Sequence, residues 1–178
     1  MMSENRKLII FIAMSLDGYI ATEDESLEWL FNVDGEGDNG YSEFLETVDT
    51  ILMGRKTYDW VMKNIEGEFP YKNEECYVFT KSPIEDTEYV KFINTDVISF
   101  TNELQKTDGK NIWLVGGGEL IHSFIKEKLI DEMIITVAPV IIGNGIPLFL
   151  TSEDQMNLSL IGNRKYNQFV SLHYQVKK

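Results

Sequence analysis

The stretch "NIWLVGGGELIHSFIKEK", Asn111–Lys128, decides how this chain is read. An apolar run of strand length ends in Gly116, Gly117 and Gly118, and a segment with helical apolar spacing starts at once from Glu119. Glycine loses more chain entropy on ordering than any other residue, so three together at a strand-to-helix junction answer a specific demand. Two demands fit: a tight packing turn, or backbone N–H groups held against a phosphate at the positive end of a helix. The spacing is not G-x-G-x-x-G, and no isolated acid stands about 20 residues later for a ribose. The ordinary dinucleotide fingerprint is therefore absent.

Working outward, strand-length apolar runs alternate with helical patterns along most of the chain. "KLIIFIAM" (Lys7–Met14) is nearly continuous, as expected of a strand covered on both faces. "TILM" (Thr50–Met53), "CYVFT" (Cys76–Thr80), "VKFI" (Val90–Ile93) and "EMIITVAPVII" read as further strands. "ESLEWLFN", "YSEFLETV", "TYDWVMK" and "FTNELQKT" read as helices, the first two parted by "DGEGDNG". Such alternation predicts parallel crossovers. The end differs, because "NLSLIGNRKYNQFVSLHYQV" holds two alternating segments around "GNRKYN" and predicts an antiparallel hairpin. One α/β domain spanning 1–178, with a mixed, mainly parallel sheet, follows.

With 178 residues, 43% of them apolar and 25% charged, the chain has globular rather than disordered composition. Its net charge of −13 argues against nucleic acid or an anionic membrane as partner. No Lys or Arg occurs between Lys7 and Arg55, whereas acids from Glu23 to Asp49 crowd that span; a solvated acidic face is expected there. Cys76 is the only cysteine and reads as a buried, inert thiol. His122 and His173 lack metal-ligand spacing, and no metal is expected. Trp29, Trp60 and Trp113 read as core or pocket wall. No apolar run has the length of a membrane span, and "MMSENRKLIIFIAM" suits a first strand better than a signal peptide. The reading is of a soluble, cytoplasmic protein.

Two more loops carry phosphate chemistry. In "ILMGRKTYDW", Gly54 permits the turn while Arg55, Lys56 and Thr57 set two cations and a hydroxyl at a helix start. It is not a Walker A loop, since Asp49 replaces the earlier glycine and Arg55 precedes the Lys-Thr pair. In "VFTKSP", Thr80 and Ser82 flank Lys81 at a strand end. Three such loops leaving the carboxyl ends of parallel strands share one rim, where ligands of open α/β sheets bind.

The ordered set "SLDGYIA", "ILMGRKTYD", "VFTKS", "WLVGGGEL" and "ITVAPVIIGNGIPLF" resembles the dihydrofolate reductase superfamily over essentially the whole chain. It is most similar to the branch holding the reductase domain of the bifunctional riboflavin-biosynthesis deaminase-reductase. The resemblance implies a dihydrofolate reductase-like three-layer α/β fold, a homodimer, and NADPH as hydride donor to a small-molecule substrate. It implies that Gly54, Arg55, Lys56 and Thr57 hold the 2′-phosphate and diphosphate side. Thr80, Lys81 and Ser82 would enclose the adenine ribose phosphate, and Gly116, Gly117 and Gly118 would meet the diphosphate. Glu119 would assist there or simply start its helix. Ala13 would flank the nicotinamide, and Asp17, with Ser15 two positions before it, would be the catalytic polar group on the substrate side.

The branch's substrate is 5-amino-6-(5-phosphoribosylamino)uracil, whose phosphate wants cations that the substrate side of this sequence scarcely offers. A folate reductase carries a carboxylate where Ser26 stands, and an Arg where "FPYKNEE" offers only Lys72. Folate reduction is disfavoured. A stand-alone reductase is the leading expectation, and a non-catalytic NADPH-binding module is its rival.

Overall fold

The computed structural model describes residues 4–178, so the first three residues of the N-terminal segment considered above lie outside it. An eight-stranded sheet organises the chain. Its strands are β1 (Leu8–Ser15), β3 (Val48–Gly54), β4 (Glu75–Phe79), β5 (Val90–Ile93), β6 (Asn111–Gly116), β7 (Glu132–Ala138), β9 (Leu158–Tyr166) and β10 (Phe169–Val176). They stand in the order β5-β4-β3-β6-β1-β7-β10-β9. Every pair from β5 to β7 is parallel, and β10 joins β7 antiparallel, as does β9 to β10. A separate two-stranded ribbon pairs β2 (Tyr19–Ala21) with β8 (Ile146–Pro147).

Alternation along β1 shows why the central runs are apolar throughout. Leu8 and Ile10 face one layer, where they meet Leu114 of β6, Leu104 of α4 (Val97–Gln105), and Ile121 and Phe124 of α5 (Gly118–Lys126). Ile9 faces the other with Ile51, Met53 and Trp113, under Phe44 of α2 (Tyr41–Leu45) and Val61 of α3 (Arg55–Asn64). A central strand buried on both sides needs apolar residues at every position rather than every second one. Helices thus cover both faces, giving the three layers expected of the chain.

Several boundaries differ from expectation, each for a local reason. β7 stops at Ala138 because Pro139 has no N–H for the ladder, so "PVII" runs on as loop. The first two helices are short: α1 covers only Glu28–Phe31 and α2 only Tyr41–Leu45. The hairpin turns at Asn167–Gln168, at the very end of "GNRKYN" rather than across it. Asn167 takes φ 55°, a left-handed conformation Asn tolerates, which leaves Asn163–Tyr166 free to continue β9.

The acidic face also departs from expectation at one residue. Asp49 is paired with Arg6, which is buried and also donates to Lys110 O at 2.6 Å and Thr50 Oγ1 at 2.6 Å. A buried guanidinium needs such partners because an unpaired buried charge is strongly unfavourable. Burial pushes the Asp49 carboxyl up, but the Lys110 amide, the Thr50 hydroxyl and the Arg6 charge outweigh it and hold it below its ordinary range. Cys76 is buried in β4, and desolvation pushes its thiol up to about 12, so it is inert. Among the described residues, no helix is long and apolar enough to cross a membrane.

Candidate active site

Parallel pairing carries the three sequence signals to one rim. The strands β4, β3, β6 and β1 lie side by side, so the segments after them line up as Thr80–Ser82, Gly54–Thr57, Gly116–Glu119 and Ser15–Asp17. The two glycine turns touch. A Cβ on Gly54 would sit 3.7 Å from Gly116 O and 3.9 Å from Gly117 N, and one on Gly117 would sit 3.4 Å from Thr57 Oγ1. Gly116 has φ 133°, which side chains rarely adopt, and its peptide bond to Gly117 is cis. The contacts at Gly54 and Gly117 are ordinary ones, so the structural demand for glycine lies in the positive φ of Gly116 and at Gly118, where a Cβ would come 3.0 Å from Pro147 O.

The same turns leave helix ends open. α3 starts from Gly54 and α5 from Gly117, and neither helix has a side-chain cap. The first N–H groups of both helices thus remain available at the positive ends of two dipoles. Lys56 and Lys81 are exposed nearby and form no ion pair among the described residues. Arg55 is engaged along its own helix, 2.8 Å from Asp59 and 6.0 Å from the centre of the Phe92 ring. That exposed pair is weak enough for a phosphate to displace. Thr80 turns inward on its own loop, its hydroxyl donating to Ser82 O at 3.1 Å and accepting from Ser82 N at 3.3 Å. Glu119 is exposed in the first turn of α5, where the helix dipole favours an acid.

Ser15 and Asp17 do face one another, and both are occupied. The buried Ser15 hydroxyl donates to Asp17 Oδ1 at 2.6 Å and accepts from Tyr19 N at 2.9 Å. Asp17 also accepts from Ile142 N at 3.1 Å and Gly143 N at 2.8 Å. The Ser15 hydroxyl first, then the Gly143 and Ile142 amides, hold the Asp17 carboxyl below its ordinary range despite some desolvation. At neutral pH it is a carboxylate acceptor, not a proton donor. Leu148 N donates to Gly18 O at 2.9 Å and Leu16 N to Val140 O at 2.8 Å, so "SLDG" and "APVIIGNGIPLF" form one latch.

Beyond the latch a cleft of about 390 Å³ opens on the sheet face beside Ala13. Phe11 and Ala13 of β1, Thr136 of β7 and Phe169 of β10 line it, with Leu30 and Phe31 of α1 on one side. Asp38 and Asn39 close one end. Asp38 is fixed there because it accepts from Ser42 N at 2.9 Å and from the Ser42 hydroxyl. Those bonds, the hydroxyl first, keep its carboxyl below the ordinary range. Sequence reading missed Thr136 and Phe169. Thr136 reaches the cleft because β7 pairs with β1, which sets it opposite Ala13, and Phe169 because β10 pairs with β7; no local spacing reports either pairing. Ser26 contributes nothing to the cleft lining; its carbonyl accepts from Trp29 Nε1 at 3.2 Å.

A second cleft of about 350 Å³ shares Phe11 and Asn39 with the first and continues toward the other end of the strands. Its charges are matched. Glu132 lies 2.7 Å from Lys7 Nζ and 2.7 Å from His173 Nε2, while Arg164 lies 2.6 Å from Glu43 and 5.0 Å from the Tyr166 ring centre. His173 is thus a structural partner of Glu132.

The sequence profile of the RibD C-terminal domain matches residues 6–172. The chain belongs to the RibD C-terminal domain family. Within and around that family, it is 51% identical over 170 residues to the uncharacterized protein YwjB of Bacillus subtilis (strain 168), covering 95% of this chain and 97% of that one. The crystal structure of a putative riboflavin biosynthesis protein from Shewanella sp. PV-4 superposes with a TM-score of 0.87 at 32% identity, over 97% of this chain and 99% of that one. Dihydrofolate reductase from Enterococcus faecalis, solved with NADP(H), superposes with a TM-score of 0.65 at 15% identity, over 97% of both chains. The last likeness is one of fold.

Proposed function

We propose that this member of the RibD C-terminal domain family is an NADPH-dependent oxidoreductase. In reaction type it resembles 5-amino-6-(5-phosphoribosylamino)uracil reductase. One observation carries the reading: two uncapped helix N-termini meet through Gly54 and Gly116–Gly117, with Lys56 and Lys81 beside them. That rim fits an anionic dinucleotide, because backbone N–H groups, helix dipoles and unpaired cations converge without a metal. Gly116, Gly117 and Gly118 present bare backbone, against which a diphosphate can lie. Lys56, Thr57, Lys81 and Ser82 supply cations and hydroxyls for the phosphate that distinguishes NADPH from NADH, and Arg55 joins them by leaving Asp59. When bound, the cofactor supplies a hydride.

Ala13 offers a small, flat surface where the rim meets the cleft. The cleft presents an acceptor ring to that surface and excludes water with Phe11, Leu30 and Phe169. Asp17 positions the 142–143 loop, and Ser15 holds Asp17 in place. With Asp17 ionised, the proton that completes reduction of a C=N or C=O group enters from solvent, while the hydride goes to its carbon.

Loss of nicotinamide absorbance on mixing enzyme, NADPH and 5-amino-6-(5-phosphoribosylamino)uracil or its phosphate-free form tests the reading. The expected result is enzyme-dependent oxidation with at least one acceptor. Tight NADPH binding with no oxidation by any ring acceptor would favour a nucleotide-binding module, a reading supported by the full occupation of Asp17 by structural partners.

A further inference from the structure

We infer that the cleft beside Ala13 takes a flat heterocycle that carries neither phosphate nor carboxylate, which separates this chain's substrate from the phosphoribosyl compound of its riboflavin relatives. The inference rests on the reductase reading and specifies its acceptor. The walls are Phe11, Leu30, Phe31, Val33 and Phe169, surfaces suited to stacking and apolar contact with a ring. Thr136 is the polar residue of the floor, enough to orient one ring edge. Phe31 is 74% exposed on a helix of four residues that buries nothing. Its ring stands at the lip of the cleft, where a planar ligand would cover it.

The charged groups of the cleft oppose an anionic tail. Asp38 is part of the lining, and its bonds to Ser42 N and the Ser42 hydroxyl prevent it from turning away without releasing the start of α2. The segment that supplies Leu30–Asn39 to the cleft lies in Glu23–Asp49, a span whose only charged side chains are carboxylates. Among the described residues no Lys or Arg lines this cleft, and Arg164, which lines the second cleft, is paired with Glu43. That pair is exposed and weak, and a phosphate reaching it would leave the Ala13 cleft for the second one. Lys56 and Lys81, on the rim, lie across β6 and β3 from the cleft. Asp38 is exposed, so water weakens its repulsion; that repulsion and the lack of any Lys or Arg in the cleft lining together set the expected loss for a phosphate at about tenfold.

Two matched ligand pairs test this by isothermal titration of the intact protein, alone and saturated with NADP⁺. One pair is 5-amino-6-(ribosylamino)uracil and its 5-phosphate. The other is 6-methyl-dihydropterin and dihydrofolate, the same kind of ring without and with a carboxylate tail. NADPH is titrated first, and failure to bind it sinks the reductase reading itself. With NADPH binding intact, the tail-free member of at least one pair is expected to bind, about tenfold or more tightly than its anionic partner. Asp38→Asn should narrow that gap at least about threefold, with circular dichroism confirming that the variant is folded. Phe31→Ala, on an exposed side chain, should weaken the tail-free ligand about fivefold at an unchanged melting temperature. An anionic partner that binds as tightly as its tail-free form, or a protein that takes NADPH but none of the rings, overturns the inference.

Discussion

The rim and the cleft sit at the two sides of Ala13 and are made in opposite ways. The rim is backbone: Gly54 and Gly116–Gly118 bring two turns into contact, and two helices start there without side-chain caps. The cleft is side chain: Phe11, Phe31, Thr136 and Phe169 come from four elements spread over most of the chain. Backbone sites tolerate few residue types and bind what many relatives share. Side-chain sites can change one wall at a time. The two regions should therefore answer differently to substitution.

The largest separation is expected from Gly116→Val. A side chain at φ 133° is strained, and it points toward Ile121 Cδ1 at 3.6 Å. NADPH affinity should fall about a hundredfold, and stability by roughly 1–3 kcal/mol, through strain at this backbone position. Ring-ligand binding to the protein without cofactor should hold for whatever fraction is folded. Titration calorimetry with a thermal melt checks both, and unchanged NADPH affinity would break the distinction drawn here.

Thr136→Val sharpens the comparison from the other side. The substitution keeps the shape and removes one hydroxyl from the cleft floor, so kcat/KM for the acceptor should fall about five- to tenfold, the worth of one hydrogen bond. NADPH binding should not move. Steady-state kinetics beside a cofactor titration separates the two readouts, and a parallel fall in cofactor affinity would mean that the regions are not independent.

The smallest effect lies where neither region reaches. Asp49 pairs with Arg6 near the start of β3, at the opposite end of the sheet from the rim. Asp49→Asn should cost about 1–2 kcal/mol at pH 7, less than a fully buried pair because the Asp49 side chain is 41% exposed. The folded carboxyl lies below its ordinary value of 3.8, so its contribution is present above that pH. As pH falls below 3.8 the unfolded chain takes up the proton first, and the contribution is lost through the folded value. Melting curves of wild type and variant should therefore converge below about pH 3.8, with both binding sites unaffected at pH 7.

The same contrast explains what could be read from sequence. The triple glycine, "MGRKT" and "VFTKS" each report a local backbone event, and parallel strand order carried all three to one rim as expected. "VKFI" matches β5 residue for residue, because turn signals and apolar pattern agree there. The hairpin turn was misplaced by the glycine and asparagine of "GNRKYN", although Asn167 supplies the positive φ. Asp17 and the 142–143 loop lie more than a hundred residues apart, and their contact shows in no spacing. Thr136 and Phe169 read as ordinary strand residues until β7 is laid against β1 and β10 against β7. Arg6 could not be matched to Asp49 from a stretch whose acids all look solvated.

The central claim is that the glycine rim with Lys56 and Lys81 selects NADPH. Titrating the protein with NADPH and with NADH by nicotinamide fluorescence, in wild type and in Lys56→Ala/Lys81→Ala, tests it most directly. The expected result is at least about tenfold tighter binding of NADPH by wild type, with the gap closing in the double variant through weaker NADPH binding alone. Equal affinities for the two nucleotides in wild type, or a preference for NADPH that survives the loss of both lysines, would contradict it.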